Sequence, residues 1–298
     1  MILSQVLWAL VKILIMVGFL VNVAGVLTWL DRRQSAMIQD RIGPNRAVIK
    51  IGKFELRLAG LLHTAADGVK FFFKEDFMPP NADKLLFSLA PILALMPVIA
   101  LTAVIPMADT IDPKAFFGGG AHAFVERFGA PPISLREGIY PVAMAVAPLN
   151  VGILFVFAFA GQGIVGAAIA GWSSDNKFSL MGALRAASQM VSYEVAMGMS
   201  LIGAMMIYGT VRLDDMVRWQ GENAWGIFVQ PVAFFLFFTA AVAESKRIPF
   251  DLPEAESELV SGYFTEYSGM KFGMFYFAEY MEIVTSSMLL VTIFLGGW

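Results

Sequence analysis

The chain has 298 residues, 58% of them hydrophobic and only 15% charged, with a formal net charge of −3. Soluble domains carry about 25% charged residues, so this composition excludes an ordinary soluble domain, and the net charge is too small to imply a nucleic-acid or acidic-surface partner. With no cysteine, the chain cannot hold a thiolate-bound iron–sulfur cluster, a thiolate zinc site or a disulfide.

A membrane-spanning helix needs about 20 predominantly apolar residues. Six runs qualify: 2–30, 85–106, 140–165, 180–208, 227–243 and 272–295. The first is too long for a signal-peptide core and lacks a small-residue cleavage site, so it reads as a membrane helix. The fold class expected is all-α: a polytopic membrane helix bundle, one integral membrane domain over 1–298, with cytoplasmic loops at 31–84, 166–179 and 244–271.

Orientation follows from the basic residues. Segment 32–84 holds ten of them, and Lys177, Arg185, Lys246, Arg247 and Lys271 lie on the same side. The opposite side has Lys114, Arg127, Arg136, Arg212 and Arg218. This bias predicts that the first side is cytoplasmic and the N-terminus outside.

Within the long first loop, Phe54, Leu58, Leu61, Leu62, Ala65 and Val69 recur at helical spacing. His63, Asp67, Lys70 and Lys74 form a polar stripe on another face. The pattern predicts a helix within 54–73, lying either in the membrane interface or under the chain's own loops. His63 and His122 fall in different loops and make no ligand pair.

Carboxylates inside apolar runs are costly and mark functional positions. Glu194, beside Tyr193, lies nine residues past Arg185, or about 13 Å along a helix. Glu279 lies about 10 Å past Phe272 by the same rise, with Glu282 one turn further on the same face. Glu244 ends the fifth run. A glutamate is too short to snorkel well, so Glu194 and Glu279 read as proton-carrying groups. Lys12, Asp31 and Lys84 read at least as readily as snorkelling structural charges. Gly161, Gly163, Gly166 and the prolines Pro91, Pro97 and Pro148 read as close-packing and kink positions.

Between the fifth and sixth runs lies a loop unusually rich in acid. It reads AESKRIPFDLPEAESELVSGYFTEYSGMK from Ala243 to Lys271, with Asp251, Glu254, Glu256, Glu258 and Glu266. Its cations Lys246, Arg247 and Lys271 cannot neutralise it, so basic or hydrogen-bonding partners are expected elsewhere.

These stretches resemble one family. The motifs are DRR at 31–33 with IQDRIGPNR at 38–46, ADGVKFFFKED at 66–76, GWSSDNKFSLMGALRAASQMVSYE at 171–194, the acidic loop, and FAEY at 277–280. In this order they resemble the H-type, quinone-channel membrane subunit of proton-pumping NADH:quinone oxidoreductase (respiratory complex I). The resemblance implies a membrane component that forms the quinone access channel, docks the peripheral redox arm and starts the proton-coupling relay. It places Asp31, Arg32, Arg33, Gln39, Arg41 and Arg46 at the channel mouth, with Asp67 and Lys70 along the channel. Arg247, Phe250, Asp251, Glu254, Glu256, Glu258 and Glu266 fall near the quinone cavity, and Tyr193, Glu194, Glu244 and Glu279 begin the relay.

It implies no cofactor in this chain, quinone as substrate, and NADH, FMN and iron–sulfur clusters in partner subunits. The partners implied are the iron–sulfur and quinone-site subunits of the peripheral arm and small membrane subunits, in a bacterial inner membrane. A homologous anchor of a membrane-bound hydrogenase or other non-NADH dehydrogenase is the second reading. An independent secondary transporter is the third, against which stand the absence of an internal repeat and the docking character of the loops.

The chain departs from the family pattern in three places. Asp31 stands where the family usually has Glu. The stretch between Arg46 and Asp67 is about nine residues longer than usual, with His63–Thr64 where Gln–Pro is common. The sequence ends at Gly296–Gly297–Trp298, where the family continues through two further membrane helices, so it is expected to be C-terminally incomplete or short.

Overall fold

A computed structural model describes residues 2–51, 54–108 and 145–298. Helix α1 spans Ile2–Ile38, followed by the short strands β1 (Ile49–Ile51) and β2 (Phe54–Leu56), and helix α2 (Leu62–Phe73). Helices α3 (Lys84–Thr102), α4 (Gly152–Ser173) and α5 (Lys177–Tyr208) are long and apolar. Then come α6 (Leu213–Glu222), α7 (Gly226–Val229), α8 (Pro231–Glu244), α9 (Glu256–Leu259), a 3₁₀ turn at Gly262–Phe264, and α10 (Gly269–Phe294).

Among the described residues, α1, α3, α4, α5 and α10 are long and apolar enough to cross a membrane, and α8 is a shorter apolar helix. The chain is therefore an all-α polytopic membrane bundle. Large apolar side chains on the outer faces, including Leu14, Ile15, Leu154 and Val195, lie exposed, as suits helices whose surroundings are hydrocarbon.

Three expectations are corrected. The helix predicted within 54–73 is found at Leu62–Phe73, and the apolar positions Phe54 and Leu58 of its pattern fall outside it. Residues 49–51 and 54–56 form an antiparallel pair with Ile49 opposite Leu56 and Ile51 opposite Phe54. Alternating apolar residues in so short a stretch satisfy period two as well as helical spacing, and the pairing supplies their backbone hydrogen bonds. The predicted run 227–243 is broken: α7 ends at Val229, Gln230 is non-helical, and Pro231 opens α8. Proline lacks the N–H that would continue the first helix, yet suits the first turn of the second. The predicted 140–165 span is helical from Gly152 and runs on to Ser173, through a segment expected to be loop, while its predicted start at Tyr140 lies outside the described residues. So do His122, Lys114, Arg127 and Arg136.

The small residues at 166–171 form a helix interface within the expected loop 166–179, and Gly166 packs closely as its reading predicts. A Cβ on Gly166 would lie 2.8 Å from the backbone nitrogen of Ala94, and one on Gly171 would overlap Ala183 and the carbonyl of Ser179. Glycine at these positions lets α4 lie against α3 and α5 at backbone distance. Capping sets the ends. Asp83 accepts from the N–H groups of Leu85 and Leu86 at 3.0 and 3.2 Å to start α3. Asn176 accepts from Phe178 N–H at 2.9 Å to start α5, which closes on Gly209 at φ +67°.

Helix α10 is the centre of the bundle and packs on α1, α2, α3 and α8. Helix α2 anchors to it through buried Phe71, which faces Gly273, while Phe72 and Phe73 remain 73% and 86% exposed. The acidic loop is pinned to α5 at Gly182, where a Cβ would lie 2.7 Å from the backbone of Gly262 and Tyr263. Gly182→Val is expected to lift the 3₁₀ turn off α5 and destabilise the fold by about 1–3 kcal/mol, read as a lower thermal unfolding midpoint, whereas Gly221→Ala, a helical position with nothing within 4 Å of its Cβ position, does not lower the midpoint.

Candidate functional site

The end of α8 starts the site. Ser245 closes the helix and Lys246 follows at φ +55°, a left-handed conformation uncommon for a residue with a Cβ. The turn sends two successive cations to different partners. The Lys246 ammonium lies 3.6 Å from the Glu282 carboxylate of α10, with both side chains largely buried, and 5.9 Å from the Tyr263 ring. Arg247 stacks over the Tyr280 ring at 4.3 Å and reaches Asp31 of α1 at 3.7 Å.

Hydroxyls complete the wiring. Tyr263 donates to Glu279 at 3.1 Å, and Tyr280 donates to Asp31 at 2.7 Å. Gln189 of α5 donates to the carbonyls of Ala243 and Phe250, both at 2.7 Å, and so fixes the loop's departure from α8. One guanidinium nitrogen of Arg247 and the side-chain oxygen of Gln189 are buried without a hydrogen-bond partner among the described residues.

Glu244, Lys246, Tyr263, Glu279 and Glu282 line one cavity of about 60 Å³, walled otherwise by apolar groups such as Pro97, Phe237 and Phe275. A water needs roughly 10–15 Å³ of such space and two or more polar partners, so the cavity has room and partners for a few waters. Glu254 approaches the same charges from the loop. Burial pushes its carboxyl up, the nearby Glu279 adds to the rise, and Lys246 and Arg247 oppose it. Burial opposes charge on Lys246 as well, but Tyr263, Glu282, Glu279 and Glu254 outweigh it and raise its hold on its proton.

The structure divides the sequence-predicted residues into three groups. Glu244, Glu254 and Glu279 meet in the buried cluster, and Arg247 and the half-exposed Asp31 pair at its edge. Glu194 is half-buried on α5 and faces α4, where a Cβ on Gly161 would lie 3.4 Å from its carboxylate. Tyr193 meets Phe250 edge-on at 5.3 Å between centroids, and Asp251 turns the loop through its carbonyl, which accepts from Ala255 N–H at 3.0 Å.

A second group sits at the end of α1. Arg32 pairs with Asp67, which also binds Lys70 at 3.3 Å, and Arg33 lies over the Trp29 ring at 5.4 Å. Gln39 accepts from Arg41 at 2.5 Å, and Arg32, Arg41, Arg46 and His63 line an open recess of about 600 Å³. The third group ties the acidic loop to α5: Glu258 pairs with Arg185 at 2.7 Å, and Glu266 accepts from Asn176 at 2.6 Å. The Glu256 side chain lies outside the described residues.

Sequence reading missed Lys246, Tyr263, Tyr280 and Gln189 as site residues and noted Glu282 only by its spacing. The available signal was Glu282 itself, a second carboxylate on an apolar helix that needs a buried cation. Asp31 finds its partners more than 200 residues away, in Tyr280 and Arg247, and not in the adjacent Arg32 or Arg33. Removing either member of the Tyr280–Asp31 bond leaves the other exposed to the same loss, so Tyr280→Phe and Asp31→Ala are expected to be non-additive. A double-mutant cycle on unfolding of the purified protein should give a coupling of about 1–2 kcal/mol; additive effects would dissolve the bond's role.

The NADH dehydrogenase family profile matches residues 11–298. The chain is 43% identical over 271 residues to the first of the H-type NADH-quinone oxidoreductase subunits of Cytophaga hutchinsonii, covering 91% of this chain and 70% of the relative. It is 44% identical over 287 residues to the second such protein of Geobacter sulfurreducens, covering 96% and 77%. It is 40% identical over 292 residues to the H-type protein of Thermomicrobium roseum, covering 95% and 76%. With the family match running over nearly the whole chain, and with relatives of this identity and coverage, the protein belongs to the NADH dehydrogenase family, among the H-type subunits of NADH-quinone oxidoreductase.

Proposed function

We propose that this chain is the membrane component of an NADH:quinone oxidoreductase that lines the quinone path, docks the peripheral redox arm and begins proton coupling. The observation that carries this reading is the cavity where Glu244, Glu279 and Glu282 meet Lys246 and Tyr263 beneath the acidic loop. Quinone reduction consumes protons, and a change of charge near a buried carboxylate changes that carboxylate's proton affinity. The acidic loop contributes Glu254 to the cluster and packs Phe250 on Tyr193, so a charge change above it is felt below.

In this reading the proton path runs among Glu279, Glu244 and Glu194, which lie on α10, α8 and α5, with cavity waters bridging the first two. The loop segment that carries Asp251, Glu256 and Glu258 is, in this reading, the one that meets the partner subunits. The recess of Arg32, Arg41 and Arg46, with Gln39, Asp67 and Lys70 beside it, forms the channel mouth. The chain has no cysteine to ligate iron–sulfur clusters; these, with NADH and FMN, belong to partner subunits. The proposed setting is the bacterial inner membrane with the N-terminus outside, which the bias of basic residues toward the other side supports. An anchor role in a non-NADH dehydrogenase would use the same cluster, and co-purification with an NADH-oxidising arm separates the two.

Glutamine keeps the size and hydrogen bonding of glutamate but carries no proton. Glu194→Gln and Glu279→Gln are expected to slow quinone-dependent turnover of the assembled complex by about 10- to 100-fold, with Glu244→Gln affected at least as much. Turnover and proton uptake in vesicles, normalised to assembled enzyme, measure this. Asp251→Asn is expected to weaken quinone reduction while ferricyanide reduction by the redox arm persists. Equal loss of both activities would mean failed assembly instead.

A further inference from the structure

Lys246 is held in place by more than its ion pair. Its left-handed backbone folds the chain back over the end of α8, and Lys246 N–H donates to the Ala243 carbonyl at 3.3 Å. The side chain is 7% exposed and points into the carboxylate cavity. Ionisable groups face it from three sides, Glu244 from α8, Glu279 and Glu282 from α10, and Glu254 and Tyr263 from the loop, while α3, α4 and α5 present apolar residues such as Pro97, Val156 and Met190. Arg247, next in the chain, is turned away to Tyr280 and Asp31, and Glu194 lies beyond Glu244 on α5.

Lys246, even with Arg247 acting on Glu254 and Glu279 from beyond ion-pair distance, cannot balance four carboxylates in a poorly solvated site. Each further ionised carboxylate would sit beside like charge without a paired cation, which favours the protonated form. Glu282 is the carboxylate within ion-pair distance of Lys246, whereas Glu279 takes its hydrogen bond from the Tyr263 hydroxyl.

We infer that Lys246 is a positioning residue that holds Glu282 ionised and leaves Glu279 and Glu244 as the cavity's proton-exchanging groups. The inference rests on the relay reading above and deepens it by dividing the carboxylates into one fixed counter-ion and two carriers. It also sets the direction of failure. Without the cation, Glu282 takes up a proton and the cavity loses its fixed charge. Without Glu282, the cation turns to Glu279 and holds that carrier ionised.

Carbodiimide modification reports the difference, because the reagent adds to protonated carboxyls in apolar surroundings and the modified residue is located by peptide mass spectrometry. The assembled complex would be treated at neutral pH as wild type, Lys246→Met, Lys246→Arg, Glu282→Gln and the double variant Lys246→Met/Glu282→Gln. Lys246→Met is expected to raise modification of Glu282 by about tenfold, and Lys246→Arg to keep it at the wild-type level. Glu282→Gln is expected to lower modification of Glu279 several-fold, by roughly the same scale, and the double variant to restore it.

Unchanged Glu282 modification in Lys246→Met, or an arginine variant that behaves like the methionine one, would overturn the assignment. If Lys246→Met fails to assemble, the Glu282→Gln arm decides alone, since unchanged Glu279 modification there contradicts the handover of the cation. Failure of the relay reading would appear elsewhere, as wild-type turnover in Glu279→Gln, and would leave the modification pattern intact.

Discussion

Charge buried beneath the acidic loop is the constraint on which the rest of this structure depends. Lys246 and Arg247 leave the end of α8 together, and neither can be taken from water without a counter-charge. Glu282 and Glu279 on α10, Asp31 on α1 and Glu254 in the loop supply it. The pairing draws three segments distant in sequence to one place. That accounts for α10 being the most enclosed of the long helices and for the loop's lying on the bundle rather than extending from it.

Close backbone packing makes the arrangement possible. Gly182 admits the Gly262–Tyr263 backbone onto α5, and Ser179 donates to the Tyr263 carbonyl at 2.9 Å. Tyr263 is thereby delivered into the cavity with its hydroxyl on Glu279. A residue with no charge of its own thus links the loop's backbone to the membrane carboxylates. The same economy of space leaves a cavity of about 60 Å³ rather than a dry core, and water in it would let the carboxylates exchange protons.

Much of this was legible in the sequence, for physical reasons. Runs of about 20 apolar residues have few alternatives to crossing a bilayer, and glutamates within them stand out by their cost. The reading failed where local pattern is ambiguous. Period two and period 3.6 are hard to separate over the few residues of 49–56. A small-residue stretch such as 166–171 resembles a linker until a facing helix is seen. Pro231 lies inside a run whose average hydropathy conceals the break. Partners across the fold were hidden altogether. Nothing in the local sequence joins Asp31 to Tyr280, or tells the inward Lys246 from the neighbouring Arg247.

The central claim is that carboxylates beneath the acidic loop change protonation when quinone is reduced above it. Infrared difference spectroscopy of the assembled complex, comparing oxidised with quinol-reduced enzyme, addresses this directly. The account requires a protonated-carboxyl C=O signal that changes on reduction and is lost in Glu279→Gln. A difference spectrum with no such signal, or one identical in Glu279→Gln, would contradict it.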